Sequence, residues 1–297
     1  MPAAVALAAA LPEPPSLPTL DTTADSTADT TVSGRLATRA YAALAAGERR
    51  EAARLFTLAL SSPADPRAAA WQRERQRLVR RWSGDAWTLL RAAGPVAPAA
   101  SPVLGGGQSG ASLAYTVNPL ARRPLALVAR INAASDSDGA PVATSTQAAF
   151  GLRWQPHPGL SLSAERLVAI GADVGDDWTL RLAGGGTRRR GRLALDGYAE
   201  AGALARGPLF AGGQARLSRD LLADDGATLA AGVGAWGSVQ GDRRGGPMLG
   251  RFDLGPAAAL RVPMGRATLA VVADYRVRLA GKAAPGNGPS LTVSLAF

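Results

Sequence analysis

Asn287 to Phe297 reads NGPSLTVSLAF, and this stretch decides the fold. Leu291, Val293, Leu295 and Phe297 are apolar, while Ser290, Thr292, Ser294 and Ala296 between them are small or polar. Side chains of a strand alternate between two faces, so one face here is greasy and the other is not.

The alternation continues upstream. Between Arg266 and Gly281, Ala267, Leu269, Val271, Ala273, Tyr275, Val277 and Leu279 oppose Thr268, Ala270, Val272, Asp274, Arg276 and Arg278. Phe252, Leu254, Pro256, Ala258 and Leu260 oppose Arg251, Asp253, Ala257 and Arg261. Similar runs lie around Leu229–Ala235, Leu209–Ser218, Leu193–Glu200, Trp178–Leu182, Leu160–Glu165, Gln147–Gln155, Leu125–Asn132 and Ser112–Val117, which makes eleven. The Arg266–Gly281 run exceeds the roughly 9–11 residues with which a tilted strand crosses hydrocarbon.

A soluble antiparallel sandwich also alternates. Three features favour a membrane barrel instead. The runs are long against a soluble mode of about five to six residues. Arginines and carboxylates sit in mid-strand, where a lumen suits them. The chain stops on its last strand, with an aromatic residue, like the closing strand of a bacterial outer-membrane barrel. The fold expected is therefore mainly β: a transmembrane antiparallel β-barrel whose greasy face meets lipid. Such barrels have an even strand number with both ends periplasmic. Trp82 to Ala93, WSGDAWTLLRAA, supplies the missing strand, giving about twelve, with ten or fourteen as the neighbouring counts. Counting back from Phe297 makes Arg261–Arg266 and Gln155–Gly159 periplasmic turns. It makes Ala134–Ser145, Gln240–Pro247 and Gly281–Pro289 extracellular loops. Phe297 is expected to act as the insertion signal.

The domain reading is a signal-like segment over 1–15, a disordered linker over 16–34, a helical segment over 35–81 and the barrel over 82–297. Met1 to Pro12 is apolar but lacks a basic n-region, so the signal is truncated or the start lies further upstream; a plain Ala-rich tail is the alternative. Glu13 to Ser33 is rich in Pro, Thr, Ser and Asp. Gly47, Ala52, Phe56, Ala59 and Leu60 match the second half of a tetratricopeptide (TPR) repeat. Asp65 and Pro66 are expected to cap and open a basic helix running to about Arg81. This piece is either a periplasmic docking module or a hairpin capping the barrel; a lone repeat lacks the neighbours that repeats need.

There are no cysteines, and the net charge is +10; of 33 basic residues only Lys282 is lysine. The charge suits an acidic polymer or lipopolysaccharide phosphates. It is spread over strands without a binding motif, so no nucleic-acid partner is expected. Ala92 to Ala121 is free of charge but broken by prolines and Gly105–Gly107, and so cannot be one membrane helix. The localisation expected is the outer membrane, with the helical segment in the periplasm.

Inward-facing charges are expected at Arg130, Arg153, Glu165, Arg181, Asp196, Glu200, Arg216, Arg251, Arg261, Asp274, Arg276 and Arg278. Paired carboxylates could do acid–base work only with a raised pKa in a cleft. A charge zipper that fills or lines the lumen is the preferred reading. The single histidine, His157, lies between two prolines in a turn. Thr187 to Arg192, TRRRGR, reads as a solvated charge run in a turn. Gly184–Gly186 lacks phosphate-loop context. No enzyme activity, no cofactor and no metal site is expected.

The order of motifs resembles a known family. After the helical piece come RRWSGDAWTLLR (Arg80–Arg91), LSLSAERLVAIG (Leu160–Gly171), DDWTLRLAGG (Asp176–Gly185), GYAEAGAL (Gly197–Leu204), LFAGGQARLSR (Leu209–Arg219) and VVADYRVRLAG (Val271–Gly281). Together they are similar to the C-terminal domain of the bacteriophage adsorption protein A (NfrA) family over Arg80 to Phe297. The layout also resembles exopolysaccharide export porins. The resemblance implies a partnership with an inner-membrane glycosyltransferase system, a role with envelope polysaccharide, and use by a phage as receptor. The chain departs from the family in having one recognisable repeat where the family has many. Two functional classes follow: polysaccharide export or assembly, or a closed anchor, adhesin or phage receptor. Gly, Ala and Ser between the lumen charges leave room, which favours export.

Overall fold

A computed structural model describes residues 31–61, 65–91, 106–136, 140–207, 209–224, 226–241 and 248–297. The signal-like segment, most of the linker, Gly105 and most of the Gln240–Pro247 loop lie outside them.

Among the described residues three helices precede twelve strands: α1 Val32–Ala45, α2 Arg49–Ala59 and α3 Ala68–Val79. Thr31 caps α1, its hydroxyl accepting from Gly34 N at 3.0 Å. Gly47 takes a positive φ of 78° in the turn before α2. Ala40, Ala52, Phe56 and Ala59 are fully buried between the helices, and Tyr41 meets Phe56 edge-to-face at 5.0 Å. Small residues on α1 let the Phe56 ring nest. The helix expected from Pro66 begins two residues later, at Ala68. Asp65 instead accepts the Arg67 N–H at 2.9 Å in a tight turn that leads into it.

The strands are β1 Trp82–Arg91, β2 Gln108–Thr116, β3 Leu125–Ala134, β4 Gln147–His157, β5 Leu160–Ala169 and β6 Asp177–Arg190. They continue as β7 Leu193–Leu204, β8 Leu209–Asp224, β9 Ala227–Gln240, β10 Leu249–Met264, β11 Ala267–Gly281 and β12 Gly288–Ala296. Each pairs antiparallel with its sequence neighbours, and β1 pairs with β12, so the sheet is a closed barrel of twelve strands. Closure leaves no edge with unpaired backbone groups, which hydrocarbon would not tolerate.

The two ends differ. At one end two residues separate β4 from β5, β6 from β7 and β10 from β11. Gly159, Gly191 and Gly265 in these turns have φ of 77°, 58° and 64°, the left-handed backbone that tight hairpins need. At the other end the connections are longer. The helices dock at the short-turn end. Arg49 Nε donates to Pro119 O at 2.7 Å in the β2–β3 connection, and Leu120 packs on the helical core.

Thr187–Arg190 is strand, not turn, because the β6–β7 pairing runs on to Arg190 and Leu193. Only Gly191 and Arg192 turn, so alternate arginines of the run point to opposite faces. Gly184–Gly186 likewise lies within β6.

Candidate functional site: the barrel lumen

The outer wall is apolar. Leu127, Phe150, Leu152, Trp178, Leu180, Leu182 and Leu217 are each about half exposed, on the face that points away from the lumen. Exposing such a belt to water would be unfavourable by roughly 25 cal/mol per Å², so its fitting environment is hydrocarbon. No described helix is long and apolar enough to cross a membrane; the strands form the apolar surface.

The inner face is crowded. Glu165 is 0 % exposed, Asp253 1 %, Gln147 1 % and Thr292 2 %. The side chains expected to leave room are joined by bulky ones. Trp87, Leu89, Leu167, Tyr198, Leu204, Phe210 and Trp236 all point inward and are buried. The room expected from the glycines is thus filled. The Trp236 ring lies over Gly234, and the Trp87 ring lies over Gly110. Bare glycine backbone admits the aromatic rings that close the lumen.

Two ionic clusters hold opposite walls. On β3–β7, Glu165 takes Arg130 at 2.5 Å on one oxygen and Arg181 at 3.3 Å on the other. Arg181 reaches on to Glu200 at 3.4 Å, which also accepts from the Tyr198 hydroxyl at 3.0 Å. On β10–β12 and β1, Asp274 pairs with Arg276 at 2.5 Å and accepts from Ser290 at 2.5 Å. Arg276 stacks on the Trp236 ring, 4.5 Å from its centroid.

Nearer the long-loop end, Asp253 binds Arg251 at 2.8 Å and Arg91 at 3.4 Å. These arginines reach up to the β11–β12 loop. Arg251 donates to Pro285 O at 2.9 Å and Ala283 O at 3.3 Å, and Arg278 donates to Ala283 O at 2.9 Å. Arg91 donates to Gly286 O at 3.3 Å. Ala283 and Pro285 are buried, so the loop is folded down over the lumen.

Towards the short turns, Asp196 accepts from Thr187 at 2.5 Å and pairs with Arg261 at 3.2 Å. Arg189 pairs with Asp220 at 2.8 Å. Arg153 and Arg216 face the lumen but join none of these ion pairs, so the zipper is incomplete at these two positions. The Arg130, Glu165, Arg181 and Glu200 side chains meet although they come from four different strands.

The interior also holds acids and bases that the sequence reading does not single out, among them Asp85, which accepts from Ser112, Asp253, Arg91 and the buried Asp177. The alternation in sequence puts Asp253 on the inner face. Strand parity was the available signal; Asp85 and Arg91 follow it once β1 pairs with β12. His157, expected in a turn, is instead the exposed last residue of β4, because the β4–β5 pairing runs on to His157 and Leu160; its Nδ1 lies 2.8 Å from Pro158 O. Among the described residues no three His, Cys, Asp or Glu side chains gather as a metal cage.

Known proteins with a similar fold are outer-membrane barrels. An outer membrane channel from Pseudomonas putida F1 matches with 12 % identity over 73 % of this chain and 95 % of its own, at a TM-score of 0.45. LpxR from Salmonella typhimurium matches with 11 % identity over 72 % and 99 %, at 0.39. Wzi from Escherichia coli, a carbohydrate-binding β-barrel involved in group 1 capsule assembly, matches with 9 % identity over 85 % and 92 %, at 0.31. No protein-family model matches the chain, including any for the adsorption protein A family, and no curated protein matches it.

Proposed function

We propose that this protein is an outer-membrane barrel with a closed lumen, which anchors a periplasmic helical hairpin and presents its long loops at the cell surface. The observation that carries this reading is the sealed interior. Glu165, Asp253 and Thr292 are cut off from solvent, and Arg251 and Arg278 pin a loop across the mouth. A lumen filled in this way leaves no path for a polymer, so the barrel is an anchor or receptor and not the conduit. The short turns support assigning that end of the barrel, with its docked helices, to the periplasm.

The motifs between Arg80 and Gly281 support a place beside envelope polysaccharide assembly, with an inner-membrane glycosyltransferase system as partner and the surface loops as a phage receptor. The helical hairpin, TPR-like in its buried Ala52, Phe56 and Ala59, is the surface for periplasmic partners. The lumen carboxylates have structural work in ion pairs, and this reading assigns them no catalytic step.

The test has two parts. The protein should sediment with outer membranes and change gel mobility on boiling. In a planar bilayer it should show no stable conductance. Recovery as a soluble, non-shifting protein defeats the barrel reading. A steady open-channel current defeats the closed-anchor reading in favour of export.

A further inference from the structure

Arg216, like the less buried Arg153, stands apart from the other lumen arginines. It faces the lumen from the middle of β8 and is only 8 % exposed. Arg130, Arg181, Arg251 and Arg276 each have a carboxylate within 3.4 Å. Arg216 makes no hydrogen bond or ion pair among the described residues, and its Nε is sealed without an acceptor.

The cross-strand positions explain why. On β7 its register partner is Asp196, but that carboxylate is committed to Arg261 and Thr187. On β9 its partner is Gly234, which has no side chain to offer. The next inward residue on β8, Gln214, also leaves its Oε1 without a donor. Asp196 therefore sits between two guanidiniums and answers only one of them. A buried guanidinium that shares its nearest carboxylate with a second arginine is under-compensated, so the site favours taking an anion from solution.

Access comes from the short-turn end. The side chains of Arg261 and Asp196 are 25 % and 13 % exposed, whereas those of Arg91 and Asp253 beneath the β11–β12 loop are 1 % exposed. The side chains around Arg216 are thus more exposed towards the end where the helices dock than towards the other.

We propose that Arg216, with Arg261 beside it, forms an oxyanion-binding site inside the barrel. The ligand class is a small phosphate or carboxylate, either free or carried on an acidic saccharide. A guanidinium offers planar, paired N–H donors that match two oxygens of such a group, and charge-assisted bonds of this kind strengthen away from bulk water.

The experiment is calorimetric titration of the purified, detergent-solubilised full chain at low salt, with inorganic phosphate in one arm and a monomeric uronic acid in the other. Saturable binding of either is expected, and Arg216→Gln should weaken it at least tenfold. Arg190→Gln, at the exposed outer end of β6, should leave it unchanged. Phosphate alone would assign a free ion as ligand; uronic acid, with or without phosphate, would assign the saccharide-borne group. Heat-modifiable gel mobility confirms that Arg216→Gln is folded. If it is not, Arg216→Lys keeps the charge but loses the fork, and should bind with affinity reduced at least threefold. Absence of saturable binding in both arms, or equal binding by the folded Arg216 variant, overturns the site.

Discussion

The Phe297 ring lies against Gly84, and the two residues exchange backbone hydrogen bonds: Phe297 N to Gly84 O at 2.9 Å and Gly84 N to Phe297 O at 3.1 Å. A Cβ at Gly84 would stand 2.8 Å from that ring, closer than side-chain atoms pack. The seam between β1 and β12 is thereby finished by an aromatic cover over bare backbone.

Gly84→Val should therefore displace the ring and weaken barrel closure, and Phe297→Asp should do so more strongly. Outer-membrane levels and the fraction of heat-modifiable protein measure this. Wild-type levels of folded barrel for both variants would remove Phe297 from any role in closure or insertion.

Val271 lies on the outer face of β11, while Val272 points inward and is 9 % exposed. Val271→Arg should destabilise the barrel by about 2–4 kcal/mol if it lies near the bilayer midplane, and Val271→Leu should be close to neutral. Urea unfolding in lipid vesicles reads the difference. Equal stability of the two variants would mean that this face does not meet hydrocarbon.

Glu165 holds two arginines at once. Glu165→Gln should cost on the order of 3–5 kcal/mol, because it strands Arg130 without a carboxylate in a crowded interior. Arg181 keeps Glu200 and should be hurt less. The double change Glu165→Leu with Arg130→Met should recover part of the loss, since removing both charges removes the stranded one. If the double variant is as unstable as the sum of the singles, the pair is not the source of the effect.

The β11–β12 loop is held by Arg251 and Arg278 through neutral carbonyls. Arg251→Gln with Arg278→Gln should free it. The protein contains no cysteine, so Ser290→Cys, on the inner face of β12 below the loop, gives a clean reporter. A hydrophilic thiol reagent should label it at least tenfold faster in the double-arginine variant than in the parent. Unchanged labelling would show that the loop does not control entry.

Parity made much of this barrel readable. A strand of period two in a barrel must send alternate side chains to lipid and lumen, and a one-residue slip would reverse them all. Leu291, Val293 and Leu295 against Ser290, Thr292 and Ser294 carried that information without any partner. The even-number rule for barrels then pointed to Trp82–Ala93 as the remaining strand. Inward placement of Arg130, Glu165, Arg181 and Asp274 followed from the same count.

Whom each charge meets was not local information. Arg130 and Glu165 are 35 positions apart, and Arg91 and Asp253 are 162 apart. Their meeting depends on strand order, register and the closing of β1 on β12. The same holds for the lumen. Its Gly, Ala and Ser suggested space, but the Trp87 and Trp236 rings lie over Gly110 and Gly234 and take that space. The sequence by itself determined which face each residue belongs to, because alternation is a property of one strand. Only the tertiary structure decided that aromatic rings fill the space between the lumen charges and that Arg216 has no carboxylate within ion-pair distance, because packing and pairing arise where distant strands converge.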